Sequence, residues 1–455
     1  MKLIQSKDIN LNYAAKIVDI KEFMPHPNPE VTGLKCAIID GYSITVDKTS
    51  ECGQYIYFPV NSVINTGFLS KNNLFRDATL NQDSTQTGYF DDKGRVKMIK
   101  LQKVYSEGLI LPISSIEKWL GTTIEVENNT VFDFIDNIEF CKKYVIKVTN
   151  KGGLSCDNKR NKHNKSLKQF DRMIDGQFNF HYSTVNLKNC PFVISPNDLI
   201  HISSKFHGTS GISSNILVKK ELSLLEKCIK FLFPKLPIEE TKYDGIYSSR
   251  TVIKNKFINK SVTGGYYNVD IWKIADEQIK TILGEIPKGI TLYYEIVGYL
   301  PSGSMIQGGY DYGCTEPIGS LYTYNINYKI FVYRITSTNV DGEVIEFTAK
   351  EVQNWCNNKG LIPVKELYYG FAKDLYPTLD LETHWSNNFL DCISKDDTFY
   401  MEKNSPDCKN KVPHEGVVIR IENNKPSAFK VKCLKFVAKE SKQLDNGESN
   451  IEDES

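Results

Sequence analysis

The chain has 455 residues with a formal net charge of +1, and 40% of its residues are hydrophobic while 24% are charged. This length predicts two or three domains, and the composition is that of a globular protein, which excludes a disordered or fibrous chain. The balanced charge excludes a polycation, so a nucleic-acid partner would have to bind at local basic patches.

Membrane spans and cysteine frameworks are also disfavoured. No uninterrupted apolar stretch approaches the roughly 18 residues that a membrane span needs, and the N-terminus lacks a signal-peptide core. The eleven cysteines are scattered without a C-x-x-C pair, which favours reduced thiols over a zinc site or disulfides. We therefore expect a soluble intracellular protein without a membrane partner.

Short β-prone runs fill residues 1–145. They include Ala14–Ile20, Cys36–Asp40 and Ser43–Val46, and clusters of Gly, Pro and Asn separate them. Strands at this spacing predict a small barrel or sandwich.

A basic cluster lies in the same region, next to an aromatic residue. Cations meet phosphates and rings stack on bases, so such a cluster suits a nucleic-acid face. A solvated strand face is the alternative. The basic residues are Arg95, Lys97, Lys100 and Lys103.

The remaining chain divides into three segments. Residues 146–190 are predicted to be a basic flexible linker, since 151–168 contain six Lys and Arg against one Asp, a net +5. Residues 191–438 mix α and β patterns, with helices predicted over Glu221–Phe231 and Val269–Leu283. Residues 439–455 contain six acidic residues and two lysines, a net −4, and are predicted to be a disordered tail.

The run Lys205-Phe206-His207-Gly208-Thr209-Ser210 contains a candidate nucleophile. A lysine amine attacks only when it is neutral, and an ordinary pKa of about 10.4 leaves almost none neutral at pH 7. A neighbouring cation or desolvation would have to lower the pKa of Lys205. Gly208 would let the backbone turn tightly, so that Lys205 faces a bound phosphate. In isolation, K-x-x-G is more often a surface turn.

Three later strands carry groups that suit a nucleotide. Arg250 could hold a phosphate or a ribose through its fork of donors. Glu295 interrupts an apolar run, where a carboxylate needs a ribose hydroxyl, hydrated Mg²⁺ or a structural salt bridge. Phe331 and Tyr333 alternate onto one strand face, where either ring could stack on a purine or pack in the core.

The strongest pattern lies near the end of the sequence, where His414-Glu415-Gly416-Val417-Val418-Ile419-Arg420 is followed by Ala428–Phe436. Period-two alternation places Lys430 and Lys432 on one strand face. Two like charges on one face need an anion between them, and a nucleotide phosphate meets that need. The same cations would lower the pKa of Lys205 and stabilise departing pyrophosphate.

Together these segments resemble the covalent nucleotidyltransferase superfamily of ATP-dependent RNA and DNA ligases and mRNA-capping enzymes. In that superfamily K-x-[DH]-G carries the nucleophile, and E-G-[VL]-[VM]-[IV]-[KR] followed by K-x-K closes the pocket. The histidine form, Lys205-x-His207-Gly208, resembles the RNA ligase branch. Lys205 and Glu295 are 90 residues apart (295 − 205), and Glu415 follows after another 120 (415 − 295). The second interval is long and suggests insertions around residues 336–410.

The position of the extra domain favours the same branch. DNA ligases and capping enzymes place an OB domain after the lysine pair, whereas 23 residues (455 − 432) follow Lys432. Gly94–Lys97 and Ser106–Leu109 resemble the N-terminal OB-like module of RNA ligases that seal nicks with RNA 3′-OH ends. The resemblance implies an α+β fold with an N-terminal OB-like β-barrel over 1–145. It also implies a C-terminal nucleotidyltransferase domain of two antiparallel sheets flanked by helices over 191–438.

The resemblance also implies a reaction, namely ligation of a 3′-OH to a 5′-phosphate through lysyl-AMP, in nick sealing or RNA repair. ATP and Mg²⁺ (or Mn²⁺) would be the cofactors, the partner RNA or an RNA-containing nicked duplex, and the protein a monomer. The implied catalytic residues are Lys205, Lys430 and Lys432. The implied nucleotide-binding residues are Lys205, His207, Gly208, Arg250, Glu295, Phe331, Tyr333, Glu415, Val417, Lys430 and Lys432. Glu295 and Glu415 would bind the metal. The implied nucleic-acid contacts are Ser210, Arg95, Lys97, Lys100 and Lys103.

Two other functions stay open. One is a GTP-using capping-type nucleotidyltransferase, which the short segment after Lys432 disfavours. The other is a non-catalytic RNA-binding protein with a decayed ligase fold, which the intact Lys205, Glu295 and Glu415 disfavour.

Overall fold

The computed structural model of the protein describes residues 2–146, 172–181, 184–220, 222–233, 240–254, 267, 269–318, 323–326, 328–382, 384–423 and 426–448. Within these ranges, strands before residue 146 pair only with one another, and so do strands after residue 184. The protein has the predicted mixed α+β composition. None of the helices in the described ranges is long and apolar enough to cross a membrane.

The front part of the chain, up to residue 146, consists of short strands and two helices within the described residues. They are β1 (Leu3–Ile4), β2 (Ala15–Ile20), β3 (Met24–Pro25), β4 (Leu34–Ile39), β5 (Tyr42–Asp47), β6 (Gly53–Pro59), β7 (Ser62–Ile64), α1 (Thr66–Lys71), β8 (Ile99–Leu101), β9 (Val104–Ser106), β10 (Gly108–Pro112), α2 (Ser114–Leu120), β11 (Val131–Phe132), β12 (Phe134–Ile135), β13 (Ile138–Glu139) and β14 (Cys141–Lys143).

These front strands form several small antiparallel sheets. The largest has the order β10-β6-β2-β11, and another has the order β3-β4-β5. Phe58, Phe68, Phe132 and Phe140 are fully buried in the core beside the largest sheet. Among the described residues the sheets do not close into one barrel.

The second part of the chain carries longer elements. They are β15 (Val185–Asn186), β16 (Leu199–Ser204), β17 (Thr209–Lys219), α3 (Leu224–Leu232), β18 (Thr241–Ser249), β19 (Ile253–Lys254), α4 (Ile271–Leu283), β20 (Ile290–Gly298), β21 (Thr315–Ile318), β22 (Thr323–Ile326), β23 (Tyr328–Thr338), β24 (Val344–Glu346), α5 (Ala349–Lys359), β25 (Ile362–Pro363), β26 (Glu366–Phe371), α6 (Ala372–Leu375), α7 (Trp385–Lys395), β27 (Gly416–Ile421), β28 (Ser427–Lys432) and α8 (Leu434–Asp445).

Two large sheets dominate the second part. One has the order β15-β28-β27-β16-β26, and the other has the order β19-β18-β17-β20-β23-β24, with β25 also paired to β23. Neighbouring strands are antiparallel except for β15 with β28 and β23 with β25. The first sheet packs on α7 and α8 through residues such as Phe389 and Phe436, and the second packs on α4 and α5 through residues such as Trp272 and Cys356.

Local sequence patterns account for several of these elements. In β28, Phe429 and Val431 are buried while Lys430 and Lys432 occupy the other face, so the predicted alternation is confirmed. The two predicted helices are α3 and α4, and each begins slightly later than predicted because of its cap. The Ser223 side chain forms a capping box with Glu226 at the start of α3.

The predictions that two segments, the linker and the tail, lack a fixed structure are wrong in part. Residues 151–168 of the predicted flexible linker lie outside the described residues, but 172–181 and 184–190 pack on the second part. Arg172 pairs with Asp244 at 3.4 Å, and β15 extends the first sheet. The predicted disordered tail starts inside α8, where Ser441 and Leu444 are buried. The start of the predicted tail is helical although it has few apolar residues, because α8 packs on both parts of the chain.

Candidate active site

One pocket lies between the two large sheets and brings together most of the predicted site residues. They enter from strands of both sheets, which explains how positions more than 200 residues apart converge. Those that line the pocket are Lys205, Ser210, Arg250, Glu295, Tyr333, Lys430 and Lys432.

Lys205 follows the last residue of β16 and lies beside the start of β27. Its backbone N–H donates to the carbonyl of Gly416 at 2.9 Å, and its Nζ lies 2.8 Å from Oε1 of Glu415. The same carboxylate oxygen is 3.7 Å from Nζ of Lys432. Glu415 is buried, so one buried carboxylate gathers both cations at this end of the pocket.

Two glycines near Lys205 and Glu415 let neighbouring backbone segments approach each other closely. A Cβ on Gly208 would lie 2.3 Å from the carbonyl oxygen of Ile296, and one on Gly416 would lie 2.0 Å from that of Val431. Gly416 also has a φ of +135°, which residues with a Cβ rarely adopt. The role of Gly208 therefore differs from the predicted tight turn, because neighbouring backbone leaves no room for a side chain.

His207 lies behind Glu415 rather than on the pocket wall. Its ring makes edge contacts with Tyr310 and Phe436, with centroids 4.7 and 4.9 Å away. Its Nδ1 is 3.8 Å from Oε2 of Glu415, and its backbone N–H donates to the hydroxyl of Tyr312 at 2.8 Å. These contacts make His207 a support for the Glu415 carboxylate.

Glu295 and Ser210 face each other across β20 and β17. Ser210 Oγ donates to Oε2 of Glu295 at 3.1 Å, and the backbone N–H of Gly208 donates to Oε1 at 3.0 Å. The Glu295 carboxylate is thus fixed by the run that contains Lys205. The predicted contact of Ser210 with nucleic acid stays a prediction; in the structure Ser210 lines the pocket and its hydroxyl contacts Glu295.

Of the two predicted stacking rings, Tyr333 lines the pocket. Its hydroxyl lies 2.9 Å from Nδ1 of His181. Burial and the nearby Glu295 raise the pKa of Tyr333 well above its ordinary value, so its hydroxyl stays protonated. Phe331 stacks on Phe206 with centroids 4.2 Å apart and planes 4° apart.

The two valines after Gly416 have opposite orientations. Val417 is fully buried in the core of the first sheet, whereas Val418 lines the pocket. A nucleotide contact by Val417 stays a prediction, and the side chain that lines this pocket is that of Val418. A shift of one residue reverses the face of a strand.

The pocket has a second end, opposite the lysines, that the sequence motifs did not reveal. Arg334 Nη2 pairs with Oε2 of Glu346 at 2.9 Å, and α5 contributes Gln353. His201 is also buried there, and its burial lowers its pKa to about 4, although Glu366 opposes the shift. Glu346 and Gln353 belong to the predicted insertion, where no motif spacing could point to them.

The front basic cluster divides into two kinds of residue. Arg95 is only 3% exposed and forms an ion pair with Asp445 of α8, so its predicted role at nucleic-acid phosphates is wrong. Lys97 also contacts Asp445, at 3.1 Å. Lys100 and Lys103 are exposed on the β8–β9 hairpin. A charge repeat alone does not distinguish a buried arginine from exposed lysines.

The described residues contain no group of three or more His, Cys, Asp or Glu side chains that could enclose a metal ion. Mg²⁺ usually keeps several waters and needs only one or two carboxylates. Among the described contacts, the buried Oε2 of Glu415 accepts no hydrogen bond, so it fits a hydrated cation. Glu295 fits less well, since both of its oxygens already accept hydrogen bonds.

Comparison with solved structures finds RNA ligase structures of Naegleria gruberi. The RNA ligase with PPi has a TM-score of 0.53 and 15% identity, covering 95% of this chain and all of that one. A mutant with ATP and Mn has a TM-score of 0.53 and 13% identity, covering 93% and 98%. An apo mutant has a TM-score of 0.52 and 14% identity, covering 95% and 100%.

This chain has the fold of an RNA ligase. The predicted resemblance is confirmed at the level of the fold. No protein-family model and no curated protein sequence matches the chain. The RNA ligase fold extends over both parts of the chain, because the alignment covers 95% of it.

Proposed function

We propose that the protein is an ATP-dependent RNA ligase that joins 3′-OH and 5′-phosphate ends through a lysyl-AMP intermediate. The observation that carries the proposal is the meeting of Lys205, Glu415 and Lys432 at one end of a pocket in an RNA ligase fold. RNA ligases of this fold are known with ATP and Mn, which supports ATP and a divalent cation as the substrate and cofactor.

The first step forms a bond between Nζ of Lys205 and the α-phosphorus of ATP, while the bond to pyrophosphate breaks. Lys205 must first leave Glu415 and release a proton to water, because only a neutral amine has the lone pair that attacks. Lys430 and Lys432 hold the α-phosphate and offset the negative charge that develops there. AMP then passes to a 5′-phosphate, and an RNA 3′-OH displaces it.

Glu415 is the proposed metal-binding residue, with Glu295 a weaker candidate. A bound Mg²⁺ or Mn²⁺ supplies positive charge beside the phosphates. A cation held by Glu415 would compete with Lys205 for this carboxylate and would weaken the Lys205–Glu415 ion pair. The buried, hydrogen-bond-free Oε2 supports this assignment.

The rest of the nucleotide is proposed to extend from the lysines toward the insertion. Glu295 and Arg250 line the pocket and suit the ribose hydroxyls or a phosphate. Tyr333 offers a ring for the purine. Val418 is the apolar contact from β27.

We also assign residues 1–145 to an OB-like RNA-binding domain and 191–438 to the adenylyltransferase domain. The exposed Lys100 and Lys103 of the β8–β9 hairpin are the proposed phosphate contacts. Replacing both with Ala should weaken nick sealing and flatten the dependence of RNA binding on log salt by about two units, while lysyl-AMP formation stays intact. Lys142→Ala, an exposed lysine of the front part, is the matched control. Equal salt slopes for the double variant and wild type would exclude this role.

The decisive experiment is incubation with α-labelled ATP and Mg²⁺. Wild-type protein should acquire a covalent label, and Lys205→Ala should acquire none. Parallel labelling with α-labelled GTP tests the capping-type alternative, which predicts that GTP labels better than ATP. If neither nucleotide labels the protein, non-catalytic RNA binding is the remaining function.

A further inference from the structure

α8 follows directly after β28 and lies between the nucleotide pocket and the front part. Its pocket side carries Glu440, whose two carboxylate oxygens each lie 3.1 Å from Nζ of Lys432. The ring centroid of Phe436, on the same helix, lies 4.9 Å from Lys432 Nζ. This ring also makes the edge contact with His207. The helix therefore contacts both the lysine pair and the support of Glu415.

The other side of α8 is held by the front part. Arg95 pairs with Asp445 and donates to the backbone carbonyl of Ser441 at 3.4 Å. The backbone N–H of Met98 donates to the hydroxyl of Ser441 at 3.2 Å. Ser441 is only 2% exposed, so this contact is part of a packed interface.

Glu440 and Ser441 are consecutive residues that point to different parts of the molecule. A shift of α8 away from Arg95 moves the carboxylate that holds Lys432, because the helix is a rigid, hydrogen-bonded element. A buried arginine that loses its carboxylate partner is costly, so the front part favours one position of α8.

We infer that Glu440 is a positioning residue for Lys432, and that the docking of Arg95 on α8 sets its position. The front part thus acts on the first chemical step as well as on RNA binding. This inference rests on the proposed function, since Lys432 is the group that meets the α-phosphate. It assigns Arg95, predicted as a phosphate contact, to the assembly of the adenylylation site.

The test measures single-turnover lysyl-AMP formation by the full chain at saturating ATP. Asp445→Asn should slow the step about tenfold, and Glu440→Gln should slow it by a similar factor, both with the KM for ATP within twofold. Asp445→Glu, which keeps the carboxylate, should restore most of the rate. Lys142→Ala, which removes the exposed ion pair with Glu139 on the front part, is the control and should match wild type.

If Asp445→Asn and Glu440→Gln both stay within twofold of wild type, the inference is overturned. If Asp445→Asn lowers the melting temperature enough to leave unfolded protein, Glu440→Gln decides alone, since it leaves the Arg95 contacts in place. A fall in rate that Asp445→Glu does not restore also counts against the inference, because the charge would then not be the cause.

A failure of the proposed function would be separable from this result. If wild-type protein takes no label, hydrogen exchange of the nucleotide-free chain replaces the rate. Faster exchange at residues 205–209 in Asp445→Asn, but not in Lys142→Ala, supports the link from the front part through α8 and His207. Unchanged exchange there overturns it.

Discussion

Val417 and Val418 are neighbours that face opposite sides of β27, so they allow a paired test of the pocket wall. Val417→Ala should lower the free energy of unfolding by about 2 kcal/mol, because the lost methyl groups are fully buried, and should leave the KM for ATP unchanged. Val418→Ala should raise that KM severalfold with little loss of stability. Denaturant titration and lysyl-AMP kinetics measure the two effects, and the reverse pattern would place the nucleotide elsewhere.

His201 predicts a pH dependence of stability. Its folded pKa is about 4, against an ordinary 6.5, so on acidification the unfolded chain binds the proton first. The stability it contributes is fully present above about pH 6.5 and is lost as the pH falls toward 4, at up to about 1.4 kcal/mol per pH unit.

The measurement is denaturant unfolding of wild type and His201→Gln at pH 7, 6 and 5. Other groups titrate in both proteins, so the difference between the two slopes isolates the imidazole. A wild-type slope no steeper than that of the variant would show that the burial of His201 carries no such cost.

Single residues were predictable where one local rule decides their position. Alternation was enough for Lys430 and Lys432, because one face of β28 had to be apolar. It was not enough for Arg95, whose partner Asp445 lies 350 positions away. A side chain's partner at that distance depends on tertiary packing, on which local patterns carry no information.

Among the elements, α5 forms part of the pocket wall, and its first turn is closed by a capping box of Thr348 and Glu351. Thr348→Ala should lower the free energy of unfolding by about 1 kcal/mol. It should also raise the KM for ATP, since Val352 and Gln353 of this helix line the pocket.

Ser223→Ala offers a matched control, because it removes the same kind of capping box from α3, which contributes no residue to the pocket lining within the described chain. Its KM for ATP should equal that of wild type. Equal increases in KM for both variants would mean that α5 has no special relation to the nucleotide.

Elements with strong periodicity, such as α4 and β20, were predictable from the sequence, while α8 was not. The residues after Lys439 are acidic and almost without apolar groups, which is the composition of a disordered segment. These residues have a fixed structure because Ser441 and Asp445 make polar contacts with the front part. The pocket end formed by the insertion could not be predicted from the sequence either, since its residues match no motif.

At the scale of the whole molecule, a second ion pair joins the two parts, and both of its side chains are buried or nearly so. Lys188 Nζ lies 2.7 Å from Oε1 of Glu107, and both side chains are at most 10% exposed. Glu107→Gln should lower the free energy of unfolding by about 3 kcal/mol, because it leaves a buried ammonium without its counter-charge. Combining it with Lys188→Met should recover at least half of that loss. Denaturant unfolding of the four proteins tests the coupling, and strictly additive losses would argue against it.

The order of the motifs predicted the fold, although the identity to RNA ligases of the same fold is 15% or lower in the structures compared. The prediction rested on a few residues, such as Lys205, Glu295 and Glu415, whose types and order match the motifs. The contacts between the two parts belong to no motif. The interface through Arg95 and Lys188 could therefore be read only from the structure.

The ion pair between Lys205 and Glu415 has a consequence for selectivity toward small electrophiles. An exposed, neutral amine in a cleft would be acylated by any activated ester that diffuses in. In the structure the Nζ of Lys205 lies 2.8 Å from the buried Glu415 carboxylate, and an amine that is protonated there does not attack. Amine-directed reagents should thus modify Lys205 more slowly than the exposed Lys100 and Lys103, and its modification rate becomes a reporter of the ion pair with Glu415.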